Sequence, residues 1–195
     1  LYIVIGVLAI VTLGAGFVVP RWIDWGKYRD RLETLAQVNL GTDIAIGGKI
    51  DLTLLPQPQV RFGKTIVGSP GKPFLEINDI VADFSLMDFL RDRLTITQLV
   101  LQAPKINLGI DKNGKFNTPF AFPKTLGAAN VSIASAQIKS GLVSLSDART
   151  GQYWEITDFD GSLRISDLRG PFSLQGVGMF DGRPVEVRVN TSAMN

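Results

Sequence analysis

The chain contains no cysteine and no histidine. That removes zinc fingers, thiol nucleophiles, Ser-His-Asp triads, haem held by histidine and iron–sulfur clusters. It also removes disulfides, so cysteine usage says nothing about compartment. Charge is scarce as well. Only 19% of the 195 residues are Asp, Glu, Lys or Arg, against 45% apolar, which excludes general disorder. The 20 basic and 18 acidic residues leave a net charge of +2 with both signs scattered, so no nucleic-acid partner is indicated. The chemistry left to the chain is that of carboxylates, Lys, Arg, Ser, Thr and Tyr, and the sequence implies neither a cofactor nor a metal.

What is present begins with an uncharged apolar run, LYIVIGVLAIVTLGAGFVV, over residues 1–19. At about 1.5 Å per residue it spans roughly 28 Å, close to a hydrocarbon core. Pro20 and Arg21 end it, and Trp22, Trp25 and Tyr28 follow in the pattern of a membrane interface. A transmembrane helix is therefore expected over residues 1–19, and the membrane is the first expected partner. Two other readings compete: a cleaved signal peptide ending near Gly14, Ala15 and Gly16, and a buried core helix. By the positive-inside rule Arg21, Lys27, Arg29 and Arg31 argue that the side following the span is cytoplasmic; the residues alone leave orientation open.

Residues 20–41 read as an interfacial linker with a short amphipathic helix. Asp24 is a candidate cap, Trp25, Tyr28, Leu32, Leu35 and Ala36 recur at helical spacing, and Gly41 lies past the end. The apolar stripe is expected to face the bilayer surface or the first strands. Beyond Gly41 the period changes from 3.6 to 2. Ile44, Ile46, Ile50, Leu52 and Leu54 alternate up to Pro56 and Pro58. Val60, Phe62 and Ile66 resume, then Ile80, Ala82, Phe84 and Leu86. Each set predicts a strand with one apolar side. Ser85-Leu86-Met87-Asp88 resembles a capping box and predicts one helical turn over residues 86–92. Phe172, Leu174, Gly176 and Gly178 continue an alternating face, and Asp181-Gly182-Arg183-Pro184 signals a hairpin returning through Val185, Val187 and Val189. Residues 118–130 form the long loop, where Pro119 and Pro123 exclude a central strand.

Two internal self-similarities stand out. Leu94, Ile96, Leu99, Leu101, Ile106 and Leu108 map onto Val131, Ile133, Ala136, Ile138, Val143 and Leu145 at an offset of 37. Pro104 then falls on Gly141 and Gly114 on Gly151, predicting equivalent turns at residues 111–114 and 148–151. Both copies change alternation phase midway, which requires a bulged residue if the face is to be kept. At an offset of 79, residues 75–80 match residues 154–159, and Phe84 and Leu86 match Leu163 and Ile165. Such repeats predict stacked supersecondary units rather than one closed core.

Candidate catalytic constellations are absent. Gly176 and Gly178 are followed by Asp181 where a dinucleotide fingerprint needs glycine or alanine. Asp79 with Asp83, and Asp158 with Asp160, are read as polar residues on solvent-facing sides rather than acid–base pairs. Residues 111–114, Asp-Lys-Asn-Gly, begin like a calcium loop but lack the following acidic ligand, so a turn is expected. Asn130-Val131-Ser132 and Asn190-Thr191-Ser192 fit a glycosylation triplet too common to carry a function.

Taken in order, several short motifs resemble the AsmA family of bacterial envelope proteins. They are Pro20-Arg21-Trp22-Ile23-Asp24, Tyr28-Arg29, Leu32-Glu33, Leu40-Gly41 and Ile46-Gly47-Gly48-Lys49-Ile50. Leu54-Leu55-Pro56-Gln57-Pro58, Leu86-Met87-Asp88-Phe89-Leu90, Leu101-Gln102-Ala103-Pro104-Lys105-Ile106 and the run Asp111-Lys112-Asn113-Gly114-Lys115-Phe116-Asn117 complete the series. The family often has Trp where Thr118 stands, a departure that touches packing. The resemblance implies an inner-membrane protein with one span, a cytoplasmic N-terminus and a long periplasmic β-domain, here residues 42–195, read as the start of a longer protein. It implies no catalytic centre. It implies a bridge-like lipid carrier, whose repeated antiparallel β-units form a curved, groove-like sheet, with links to outer-membrane biogenesis and protein assembly.

The residues expected to line such a groove and meet phospholipid acyl chains are Ile50, Leu52, Phe62, Phe84 and Ile106; Trp22, Trp25 and Tyr28 are expected at the membrane interface. A row of one-sided apolar strands leaves a large patch, and such patches mark binding sites. The same alternation describes a closed β-sandwich equally well. Two other functions compete with lipid binding: a non-catalytic scaffold for outer-membrane protein assembly acting through protein contacts, and a carboxylate hydrolase, disfavoured by the missing constellation.

Overall fold

The computed structural model describes residues 25–30, 33–34, 37, 41–69, 71–89, 91, 94–117, 131–165 and 172–190. The expected span at residues 1–19, Asp24 and Trp22, and the expected loop at residues 118–130 lie outside them. Trp25–Tyr28 form a 3-10 turn, and Arg29, Asp30, Glu33, Thr34 and Gln37 are helical. The chain leaves this helix through Gly41, whose N–H donates to the Gln37 carbonyl at 2.8 Å with φ at 65°, a left-handed exit that suits glycine.

The strands are β1 (Ile44–Ile46), β2 (Ile50–Thr53), β3 (Gln59–Phe62), β4 (Thr65–Val67), β5 (Leu75–Ile77), β6 (Asp79–Phe84), β7 (Leu94–Gln102), β8 (Lys105–Ile110), β9 (Val131–Ile133), β10 (Ala136–Asp147), β11 (Gln152–Ile165), β12 (Phe172–Phe180) and β13 (Arg183–Asn190). A short helix α1 (Leu86–Phe89) follows β6. Its cap is the expected one, with the Asp88 N–H donating to Ser85 Oγ at 3.3 Å. All thirteen strands belong to one curled, half-barrel sheet. The described residues therefore build no second sheet to close a sandwich.

Many of these strands are halves of longer ones. Read as β1–β2, β3–β4, β5–β6, β7–β8, β9–β10, β11, β12 and β13, the sheet runs in sequence order, each long strand beside the one before it. Pairing is antiparallel except between β7–β8 and β9–β10, which run parallel. The purely antiparallel expectation is corrected there, and the 37-residue repeat is the reason. Leu94 pairs with Val131, Leu99 with Ala136, Ile106 with Val143 and Ile110 with Asp147. Every partner is the repeat equivalent, so the two copies lie side by side in register, and identical register demands a common direction.

The phase change inside the first copy is a bulge. Asp83 pairs with Gln98 and Phe84 with Ile96, leaving Thr97 unmatched. The equivalent Ala134 falls between β9 and β10, with its N–H on the Ile96 carbonyl at 2.8 Å. The repeat glycines agree in the turns, Gly114 and Gly151 having φ of 81° and 71°, but the closing bonds differ by one residue: the Gly114 N–H meets the Asp111 carbonyl at 3.0 Å and the Gly151 N–H the Asp147 carbonyl, not that of Ala148, at 2.8 Å. The second self-similarity holds for role but not register. Ile80 pairs with Leu101, whereas the repeat equivalent Ile138 pairs with Gly161 rather than Phe159.

A crease crosses the long strands at neighbouring points. It passes residues 47–49, 63–64, Asn78, Ala103–Pro104, Ser140–Gly141 and Asp158. Its backbone groups bond across it: Gly47 N–H to Lys64 O at 2.6 Å, Asn78 N–H to Gln102 O at 3.2 Å, Ala103 N–H to Lys139 O at 2.8 Å and Leu142 N–H to Pro104 O at 2.8 Å. Ala103, Ser140 and Asp158 take left-handed φ of 46°, 50° and 49°. The crease also corrects the strand readings. The expected strand from Ile44 to Leu54 is two strands. Ile66 faces away from the apolar side, because Thr65 and Val67 are the buried pair in β4. Leu86 starts α1 rather than ending β6.

The last two strands follow the expected hairpin. Phe180 pairs with Arg183, and Asp181 and Gly182 between them have φ of 48° and 71°, the two left-handed residues of a type I′ turn.

Candidate functional site: one apolar face

In-register partners point to the same side of a sheet. The pairing therefore traces rows of side chains at right angles to the strands. One row is Leu52, Val60, Ala82, Leu99, Ala136, Leu163, Leu174 and Val189. Every member is apolar. At about 4.8 Å per strand the row is about 34 Å long. Beside it runs Ile50, Phe62, Ile80, Leu101, Ile138, Gly161, Gly176 and Val187. Beyond the crease lie Ile44, Val67, Leu75, Ile106, Val143, Ile156 and Phe180.

Phe159 joins the two halves. It is 2% exposed and sits at the crease opposite Gly141. A Cβ on Gly161 would stand 2.7 Å from its ring, one on Gly176 2.6 Å, and one on Gly178 3.3 Å from the ring and 2.6 Å from Ile156 Cγ2. The ring thus lies over three glycines that leave space for it, on the same side as Ile138 and Ile156. Without it, Gly161 and Gly176 would break the row. Sequence reasoning placed Gly176 and Gly178 in an alternating face but missed this role; glycines on paired strands next to a lone Phe were the available signal.

Of the expected groove residues, Ile50, Leu52, Phe62 and Phe84 share the near half of this face, with Ile50 paired to Phe62. Ile106 lies across the crease on the same side, paired with Leu75 and Val143. Ile50 and Phe84 are buried, whereas Leu52, Phe62 and Ile106 are half-buried. Burial in a single layer follows from the curl, which turns neighbouring rows towards each other. Of the expected interface residues, Trp25 and Tyr28 lie on the 3-10 turn and Trp22 is outside the described residues.

The opposite face is mostly polar, with Val81 and Val100 in one row between Arg61 and Gln137. Thr53, Gln59, Asp83 and Gln98 form one row there. Gln59 Nε2 donates to Asp83 Oδ1 at 2.8 Å, Arg61 Nε lies 3.5 Å from Asp79 Oδ2 and Lys64 Nζ 3.4 Å from Glu76 Oε2. Of the carboxylates considered for acid–base work, Asp79 and Asp83 are held by the contacts just given and Asp160 Oδ1 accepts the Ser140 N–H at 2.9 Å. Asp111 Oδ1 accepts from the Asn113 and Lys115 N–H groups, the expected turn. The Asp147 carboxyl has its pKa lowered to about 2 by the Arg149 guanidinium, which donates to it at 2.8 Å, and by the Arg149 N–H.

The two edges of the sheet differ. The helical segment covers the first: Glu33 Oε1 accepts the Ile46 N–H at 2.6 Å, Gln37 donates to Asp43 at 2.7 Å and Arg29 donates to the Gly48 carbonyl. Among the described residues these bonds come from positions i, i+4 and i+8 of the helix. The other edge is β13, paired with β12 alone among the described residues. There Val189, the end of the apolar row, is 46% exposed.

Among the described residues no helix is long and apolar enough to cross a membrane, and no group of acidic residues is arranged to hold a metal. No curated protein and no solved structure matches the chain. The model of the AsmA family matches residues 1–159.

Proposed function

The chain belongs to the AsmA family, and on that premise we propose that its apolar face carries phospholipid acyl chains as part of a non-enzymatic, membrane-anchored carrier in envelope biogenesis. Family membership supports a lipid-related or envelope role. The observation that carries the finer reading is the row from Leu52 to Val189, apolar at each of eight successive strands. Each buried CH₂ of an acyl chain gains about 0.8 kcal/mol, so a continuous row holds lipid without polar recognition. The row starts on the strands that meet the helical segment and runs to β13. A lipid leaving a bilayer near residues 1–19 meets it first at β2. The anchor is the span expected there, with the β-domain in the periplasm of an inner-membrane protein.

A second reading is a scaffold for outer-membrane protein assembly, in which the same apolar row meets protein side chains in place of lipid.

Photo-crosslinkers placed at Phe62, Phe84, Arg61 and Asp83 in cells separate the two. Lipid adducts at Phe62 and Phe84, with Arg61 and Asp83 silent, are expected. Adducts at Arg61 but none at Phe62 overturn the assignment. Protein adducts at Phe62 and Phe84 without lipid select the scaffold.

A further inference from the structure

Among the described strands, the rows of the apolar face hold two charged side chains, and both lie at the same end. Asp147 stands in the row of Ile110 and Gln152, and Arg183 in the row of Ile156 and Phe180. At this end β4 passes into β5, β8 into the turn at residues 111–114, β10 into β11 and β12 into β13. Each of these four connections carries or adjoins an exposed cation: Lys72, Lys112, Arg149 and Arg183. With Lys115 they hold five cations against three carboxylates, Asp111, Asp147 and Asp181.

Two of those carboxylates are committed to the chain itself. Asp111 Oδ1 accepts the N–H groups of Asn113 and Lys115 at 2.8 and 2.9 Å. The buried Asp147 takes Nε and Nη2 of Arg149 at 3.1 and 2.8 Å. That fork fixes the Arg149 guanidinium while leaving its side chain 50% exposed, with Nη1 beside Gly114 of the neighbouring turn. Lys72, Lys112 and Arg183 form no ion pair among the described residues. The other end of the strands differs: residues 54–58 carry no charge, and α1 brings Leu86, Met87 and Asp88, with Arg91 after it. Between the ends the face is apolar. From Gln152 to Phe159 at the crease, β11 runs about 23 Å, more than the roughly 15 Å of hydrocarbon in one leaflet.

An apolar strip with cations along one end matches a molecule with hydrocarbon tails and an anionic head. The structure assigns the lipid an orientation and a charge, an inference that rests on the acyl-chain reading above. A phospholipid lies along the strands with its phosphate at the turn end, on Lys112, Arg149 and Arg183, and its tail tips at the crease. The four connections follow one another at about two strands, roughly 10 Å. A lipid moving across the strands therefore passes its phosphate from one cation to the next. The class carried is an anionic phospholipid, in preference to an uncharged lipid with the same tails.

The test uses the full chain purified in detergent and two lipids with identical acyl chains, phosphatidylglycerol and diacylglycerol. In competition against a fluorescent acyl probe, phosphatidylglycerol binds more tightly. The difference shrinks at about 1 M salt, where the screening length falls to about 3 Å. Lys112→Gln combined with Arg183→Gln weakens phosphatidylglycerol by up to about fivefold for each cation lost and leaves diacylglycerol unchanged. Arg188→Gln, on the polar face of β13, changes neither. Phosphatidylglycerol with a diazirine on its head labels residues 111–115 and 148–151; with the diazirine at a tail tip it labels Ile138 and Phe159. Equal affinity for the two lipids, an unchanged double variant, or head labels at Leu54 and Leu86 overturns the orientation and leaves the acyl-chain reading standing. No label on the apolar face from either probe overturns that reading and this inference together.

Discussion

The ring of Phe159 rests on Gly176 of the next strand so closely that a methyl group at 176 would lie 2.6 Å from its Cζ and 2.5 Å from the Asp160 carbonyl. The aromatic and the glycine are complementary halves of one packing unit at the crease. Phe159→Ala removes the ring and leaves the glycines uncovered; unfolding in urea should show a loss of about 3–5 kcal/mol. Gly176→Val drives a side chain into backbone that cannot retreat, and a loss of about 3 kcal/mol or more is expected. A variant of either kind with the parent's midpoint would show that the ring does not bear on the glycines.

The left-handed backbone at Ser140, with φ of 50°, costs a non-glycine residue roughly 1–2 kcal/mol. Glycine there gives back about 0.5–1 kcal/mol through its freer unfolded chain. Ser140→Gly should therefore raise stability by about 0.5–1 kcal/mol, read as a higher urea midpoint with an unchanged slope. The Ser140 N–H keeps its bond to Asp160 in the variant. A decrease would mean that the side chain has a role the left-handed backbone does not explain.

The Asp147 carboxyl titrates at about 2 in the folded chain and near 3.9 unfolded. Its folded value is the lower one, so its contribution is complete above about pH 4 and is lost as pH falls towards 2. Thermal melts between pH 5 and 2 should show the parent losing stability in that window. Asp147→Asn should lose less there, and Arg149→Ala, which removes the first cause of the shift, should flatten the same limb.

Phe84 is 9% exposed on the apolar face, and Arg61 stands on the polar one. Phe84→Asp places an unpaired carboxylate among Ile96 and its row, at a cost of several kcal/mol. Arg61→Gln removes one exposed ion pair, worth at most about 1 kcal/mol. Parallel chemical denaturation of the two variants checks the assignment of faces, and equal losses would contradict it.

How much of this was legible in the residues can be judged at particular places. The alternation at Ile80, Ala82 and Phe84 marked the buried side of β6 because polar and apolar side chains divide cleanly there. The 37-residue offset gave more than turns, since it is the register of the parallel ladder from Leu94 and Val131 onward. Ile66 was misread because Thr65, though polar, is buried and donates its hydroxyl to the Gly63 carbonyl at 3.0 Å; hydrophobicity alone cannot place such a threonine. The crease was hidden because Ala103 and Ser140 are not residues that announce a left-handed turn.

A sheet whose long strands follow chain order has a consequence for the route by which it forms. Most neighbours are joined by short connections, so hairpins such as β12–β13 can zip locally with little loop to close. The parallel seam is the exception, because β9 must come back alongside β7 after the chain has already passed through β8. Closure of that one long connection sets the pace, and hydrogen exchange during refolding should protect Val187 and Gly176 before Leu99 and Ala103, whose N–H groups bond across the seam to the Ser135 and Lys139 carbonyls.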